Sequence, residues 1–229
     1  MGRPLRTALG GLIYHVLNRG NGRMQIFNTD SDYNAFENVI AQACERVPMR
    51  ILSYSVMPNH WHMVLWPQQD GDLSRFVNWL TLTHTQRWHA HRHSAGSGHL
   101  YQGRFKSFIV QRDEYLLTVC CYVERNAVRA DLVERAENWR WSSLWRRQFG
   151  DSEAQSLLSD WPLERPANWL TKVNTPEREE DLKELRQSVN RSQPFGNDEW
   201  LATTVQQRNL RSTVRARGRP QKYLGRKGS

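Results

Sequence analysis

Met57-Pro58-Asn59-His60-Trp61-His62-Met63-Val64-Leu65-Trp66 is a short apolar run entered through a proline–asparagine turn. Such a run reads as a β-strand. Alternate side chains of a strand point to one face. His60 and His62 therefore project together, close enough for their imidazoles to share one ion, while Trp61 and Met63 point the other way into a core. Two histidines do not complete a catalytic metal site, so the remaining ligand must come from elsewhere in the chain.

About sixty residues on stands Asp113-Glu114-Tyr115-Leu116-Leu117-Thr118-Val119-Cys120-Cys121-Tyr122-Val123-Glu124-Arg125-Asn126. Asp113 suits a helix N-cap and Glu114 a first turn. Leu116, Cys120, Val123 and Ala127 form one helical stripe, the buried face. Tyr122 and Asn126 are four apart and sit one above the other, roughly a quarter-turn from that stripe. This places them at the edge of a cleft. A tyrosine there can act as a nucleophile, and an amide oxygen one turn on can complete a metal site.

The elements around these two segments follow from periodicity. Tyr14–Asn18 reads as a first strand, and residues 30–47 as a helix capped by Asp30 or Ser31. Residues 50–56 and 60–66 form a hairpin around Pro58-Asn59. A second helix runs from Leu73 to about residue 90, a His/Gly/Ser loop from His91 to Gly98, and a fourth strand from Arg104 to Val110. The order β-α-β-β-α-β, followed by the tyrosine helix, predicts an α+β chain of the ferredoxin-like, split βαβ type: an antiparallel sheet with helices on one face. Trp139 to Trp145 reads as a strap over the core. Residues 176–190 read as a charged helix and 197–210 as another short one.

The formal charge is +9, unevenly spread: +6 over residues 1–149, −5 over 150–207 and +8 over 208–229. These boundaries divide the chain into a catalytic domain, an acidic helical connector and a basic tail. A dense basic block is the footprint of a polyanion partner. No apolar run is long enough to span a membrane and no signal-peptide core opens the chain, so a cytoplasmic, nucleoid-associated protein is expected. Three cysteines, Cys44, Cys120 and Cys121, make neither a disulfide framework nor a CxxC zinc site. Cys44 and Cys120 fit helix cores; Cys121 has no evident place. His84, His89, His91, His93 and His99 are too loosely spaced for a second metal cluster and read as a solvated loop.

His60-Trp61-His62 resembles the histidine–hydrophobe–histidine signature of the HUH single-tyrosine transposases. Met57-Pro58-Asn59-His60 and Tyr122-Val123-Glu124-Arg125-Asn126-Ala127-Val128-Arg129-Ala130 are similar to the REP-associated tyrosine transposases, as are Gly103-Arg104-Phe105-Lys106 and Asn18-Arg19-Gly20-Asn21. The resemblance covers about residues 10–148. It implies cleavage of single-stranded DNA near imperfect palindromic hairpins, with a divalent metal and a transient 5′-phosphotyrosine. It makes Tyr122 the nucleophile, His60 and His62 metal ligands, and Asn126 the amide ligand. Ala127 stands where the family commonly has proline; on the buried stripe this has little chemical consequence.

Two imidazoles and an amide with open positions suit Mg²⁺ or Mn²⁺, the imidazoles favouring Mn²⁺. For DNA contact the candidates are Arg104 and Lys106 on the fourth strand, and Arg125 and Arg129 near the tyrosine, which otherwise pair with Glu124 or Asp131. The tail adds Arg215, Arg217 and Arg219, whose Arg-Gly-Arg-Pro is similar to an AT-hook core. Two rival readings stand: a hairpin DNA- or RNA-binding regulator with little cleavage, and a metal-dependent hydrolase that uses water. Either a monomer or a homodimer is compatible with the sequence.

Overall fold

The computed structural model describes residues 8–215. Four strands, β1 (Ile13–Arg19), β2 (Met49–Met57), β3 (His60–Pro67) and β4 (Lys106–Val110), form one sheet in the order β2-β3-β1-β4. Every neighbouring pair is antiparallel. This is the split βαβ arrangement, because β3 inserts between β1 and β2. The helices that connect the strands are α1 (Asp30–Arg46) and α2 (Asp72–His91).

α1 and α2 cover one sheet face. Trp61, Met63 and Leu65 of β3 pack there with Phe36, Ile40, Phe76 and Leu80 of the two helices. The cap of α1 differs from expectation. Thr29 is the N-cap, accepting from the Asp32 amide while the Asp32 carboxylate accepts from the Thr29 amide. This reciprocal box satisfies two end donors at once, which Asp30 or Ser31 in the cap position would not do.

The second face carries the tyrosine helix. α3 (Glu114–Glu124) is capped by Asp113, whose carboxylate accepts from the Tyr115 amide, and after Arg125 the chain continues as α4 (Asn126–Arg129). Leu116, Cys120, Val123 and Ala127 are fully buried, as the stripe predicts. The sheet is therefore covered on both faces, with the tyrosine helix lying opposite the two connecting helices. A register shift between Ile51 and Ser53 leaves Leu52 as an extra residue. This bulge turns Leu52 toward the α3 side, where the Ser53 hydroxyl also lies 3.4 Å from Glu124.

Beyond α4 the chain forms α5 (Ser143–Phe149), α6 (Ser152–Ser156), α7 (Trp169–Asn174), α8 (Glu179–Arg191), α9 (Asp198–Gln207) and α10 (Arg211–Val214). Residues 139–142 form the strap: the Val56 amide donates to Trp141 O at 2.9 Å along the outer edge of β2. Trp169, Val173, Leu185 and Phe195 join the core beneath α3. Cys121 finds its place here, its thiol 3.8 Å from the Lys172 carbonyl of α7. Among the described residues no helix is long and apolar enough to cross a membrane.

His84 corrects the solvated-loop reading of the histidines. It belongs to α2, is 5% exposed, and its Nδ1 lies 2.6 Å from the Tyr101 hydroxyl. His89 and His91 also lie within α2. The fourth strand starts later than expected: β4 begins at Lys106, whose partner is Leu17, and Arg104 lies in the preceding turn.

Candidate active site

Antiparallel pairing sets His60 opposite Arg19 and His62 opposite Leu17, at one end of the two central strands. The chain leaves β1 through Gly20, whose amide donates to Asn59 O at 2.8 Å. A Cβ at Gly20 would lie 2.5 Å from Met24 O, so only glycine allows this approach. The contact pins the Pro58–Asn59 turn and fixes where His60 starts.

Each imidazole is held by one nitrogen. His60 Nδ1 lies 2.6 Å from Asn59 Oδ1, and His62 Nδ1 lies 2.8 Å from His15 Nε2. That leaves Nε2 of both histidines for other work. His60 Nε2 lies 3.4 Å from the Asn126 amide. Burial holds the His60 imidazole down at about 3, with Arg19 and Arg129 adding to the effect. Burial, then the neighbouring His15 and His60, holds His62 well below its ordinary value. Both rings are neutral at physiological pH, the state in which imidazole offers a lone pair to a metal.

The Tyr122 ring stands edge-on to His62, with centroids 5.8 Å apart. It stands edge-on to His15 at 6.3 Å. On its other side the Arg129 guanidinium carbon lies 3.9 Å from the phenol ring centroid. Arg129 also donates to the Tyr122 carbonyl at 2.8 Å and to Asn126 Oδ1 at 3.3 Å. One arginine thus contacts the Tyr122 ring, its carbonyl and the Asn126 amide oxygen.

His60, His62, Tyr122, Asn126, Arg104 and Lys106 all line a single cleft of about 480 Å³. The structure brings together six of the residues expected from sequence, from three separate segments. Two neutral imidazole nitrogens and an amide fit a divalent cation as donors. A half-turn of the Asn126 amide exchanges Nδ2 for Oδ1 toward His60 and gives up the bond from Arg129. Among the described residues, no group of three or more His, Cys, Asp or Glu side chains is placed to hold a metal ion, in this cleft or elsewhere.

Arg125 and Arg129 are otherwise engaged. Glu177, just before α8, sits 3.0 Å from Arg125 and 2.7 Å from Arg129. Arg125 also donates to the Val173 carbonyl at 2.8 Å. Their partner is neither Glu124 nor Asp131. Arg215 follows α10, its carbonyl accepting from Arg191 at 3.3 Å; Arg217 and Arg219 lie outside the described residues.

Sequence reasoning gave no site role to His15, Arg19, Asn59, Glu177 or Asn190. His15 and Arg19 share a strand face with Leu17, a signal readable by alternation once β1 pairs with β3. Arg19 lines the cleft, and its buried Nε makes no hydrogen bond among the described residues. Asn59 adjoins His60 in sequence. Glu177 and Asn190 carry no local signal, lying far along the chain.

Comparison with known proteins identifies the family and the fold. Residues 8–126 match the family model of the IS200-like transposases. A REP-associated tyrosine transposase of Haemophilus influenzae is 24% identical over 140 residues, covering 57% of this chain and 77% of that protein. The structure of a REP-associated tyrosine transposase bound to a REP hairpin shares the fold, with a TM-score of 0.54 and 21% identity over 72% of this chain and 93% of that one. The matched segment takes in β1 through Asn126 and so contains both histidines and the tyrosine: the chain belongs to the IS200-like transposase family.

Proposed function

We propose that the chain nicks and rejoins one strand of DNA beside a palindromic hairpin, carrying the cut 5′ end on Tyr122. The observation that carries this reading is the edge-on seating of Tyr122 against His62 in a cleft that also holds His60 and Asn126. The similarity to a transposase bound to a REP hairpin supports hairpin DNA as the substrate class.

The phenolic oxygen of Tyr122 attacks the scissile phosphorus. The O–P bond to tyrosine forms as the bond to the 3′ oxygen breaks, and the leaving oxygen takes up a proton as a 3′-hydroxyl. The phenol's proton passes to solvent in the open cleft. A free phenol holds its proton up to a pKa near 10, so the nucleophile needs help. Arg129 over the ring places a positive charge against the developing phenoxide. Arg19, Arg104 and Lys106 line the same cleft and meet the phosphate's charge. His60, His62 and Asn126 would hold Mg²⁺ or Mn²⁺, which when bound supplies Lewis-acid polarisation of the phosphate. Reversal by a 3′-hydroxyl restores a phosphodiester without ATP, because the bond to tyrosine conserves the phosphoryl energy.

The test is incubation with hairpin-bearing single-stranded DNA and Mn²⁺, followed by denaturing electrophoresis. A protein–DNA adduct is expected with the parent chain and none with Tyr122→Phe. An adduct that persists in Tyr122→Phe removes the nucleophile. Tight, metal-independent hairpin binding without any adduct assigns the chain to regulation by binding instead. Products formed with no covalent intermediate assign it to water-based hydrolysis.

A further inference from the structure

The segment after residue 150 is acidic overall, yet its charges are sorted in space. α8 buries Leu182, Leu185 and Ser188. Lys183, Arg186, Gln187, Asn190 and Arg191 turn the other way and, with Lys106 at the start of β4, line a groove of about 630 Å³. Glu179 lies at its end and pairs with Arg186 at 3.2 Å, both side chains largely exposed. An exposed pair of this kind contributes little and yields readily to a stronger anion. Glu180 and Glu184 do not line the groove.

This groove continues into the tyrosine cleft. Lys106 and Asn190 line both. The arginines nearest Tyr122, Arg125 and Arg129, are both tied to Glu177, which leaves them less free to move to a new anion. Lys106 and Lys183 have no ion-pair partner among the described residues. The cations of α8 and Lys106 of β4 thus continue the positive lining that Arg19 and Arg104 give the cleft itself. From Lys183 to Arg191 the helix advances about 12 Å, so the row extends along a path rather than forming a point site. Arg191 also donates to the carbonyl of Arg215, the last described residue of the basic tail.

We infer that α8, which lies outside the family-matched residues 8–126, forms one wall of a channel for the sugar-phosphate backbone of single-stranded DNA running to or from Tyr122. Lys106, Lys183, Arg186 and Arg191 meet the phosphates. Charge complementarity and continuity with the cleft, read as a site that nicks an unpaired strand beside a hairpin, select single-stranded backbone. The inference rests on the reading of the cleft as a DNA-nicking site, and it deepens that reading by naming where the flanking strand lies.

The test measures binding, not cleavage. Affinity of the full chain carrying Tyr122→Phe is followed against salt, on a hairpin with a single-stranded extension and on the same hairpin blunt. Each phosphate contact to a single strand contributes about 0.7 to the slope of log K against log salt. Adding Lys183→Gln and Arg186→Gln is expected to make the slope shallower by about 1.4 on the extended hairpin and to leave the blunt one unchanged. Lys183→Arg with Arg186→Lys keeps the parent slope. Both residues are exposed, and an unchanged melting temperature shows that the fold survives. An unaltered slope overturns the channel, as does an equal loss on the blunt hairpin, or the same-sized shift from Glu180→Gln with Glu184→Gln. If the parent binds no DNA at all, the nicking reading falls and the channel with it. If DNA binds and the slope responds but no adduct forms with Tyr122 intact, the channel stands alone.

Discussion

His15 and His62 share one short hydrogen bond between buried rings, Nε2 to Nδ1 at 2.8 Å. The direction of that bond decides whether His62 can ligate. If His62 Nδ1–H donates, His62 Nε2 keeps its lone pair, and His15 carries its proton on Nδ1. That buried nitrogen has no hydrogen-bond partner among the described residues. If His15 donates instead, His62 Nε2 is protonated and closed to a metal. Outer partners of this kind typically contribute 10–100-fold to metal affinity. His15→Phe should therefore weaken Mn²⁺ binding by about that factor. His15→Gln, whose amide oxygen can still accept, should retain more of it. Calorimetric titration with Mn²⁺ gives the answer; parent-like affinity in His15→Phe would remove the orienting role.

Glu177 is the counter-charge for two arginines at once, only 12% exposed itself. Removing one partner of a buried ion pair strands the others, at about 3–5 kcal/mol. Glu177→Ala is expected to lose about 3 kcal/mol, a fall in Tm of roughly 6–12 °C for a chain of this size. The salt slope of DNA binding should stay as it was, because Arg125 remains tied to the Val173 carbonyl. A steeper slope with undiminished stability would instead make Arg125 and Arg129 a latent phosphate clamp.

Glu124 lies two residues from both Tyr122 and Asn126 and is fully buried. Its carboxylate accepts from Ser143 at 2.6 Å and from the Trp169 indole at 2.7 Å. It thereby ties the tyrosine helix to α5 and α7. Glu124→Ala leaves the Trp169 indole without its acceptor, at about 1–3 kcal/mol, and opens a cavity under the helix, while the Ser143 hydroxyl can turn to the Tyr54 carbonyl 3.2 Å away. Chemical denaturation should show a loss of about 3 kcal/mol, with metal affinity changed far less. A larger effect on metal affinity than on stability would place Glu124 in the site rather than beneath it.

Much of this was legible because local pattern and long-range packing agree. Alternation in His60–Trp66 assigns both faces of β3, and the 3.6-residue stripe of Leu116, Cys120, Val123 and Ala127 aims Tyr122 at the cleft. Where the sequence misled, the deciding partner was distant or hidden. Thr29 wins the cap because Asp32 can reach back to it. His84 continues the Phe76–Leu80 stripe at the next four-residue step, a signal masked by the histidines that follow. Glu177 reaches Arg129 from 48 residues away, and no periodicity announces such a meeting. Trp169 and Val173 do form a four-residue pair, but α7 is too short for that pair to stand out from a loop.

His84 also sets a pH response. Burial, reinforced by Arg92 and opposed by Asp32, lowers its pKa from 6.5 to about 3. The Tyr101 hydroxyl accepts from the Trp61 indole at 3.1 Å, so its own proton points to His84 Nδ1, which must stay unprotonated. The folded chain thus binds fewer protons than the unfolded one between pH 6.5 and about 3. Stability from this group is complete above 6.5 and is lost as pH falls through that window. At pH 5 the loss amounts to about 2 kcal/mol. His15, His60 and His62 act in the same direction, so the test is a difference between chains. Denaturation at pH 7 and pH 5 should show His84→Gln losing about 2 kcal/mol less than the parent over that interval. Equal losses would mean that His84 takes up its proton within the fold, and that the Tyr101–His84 bond turns round to accommodate it.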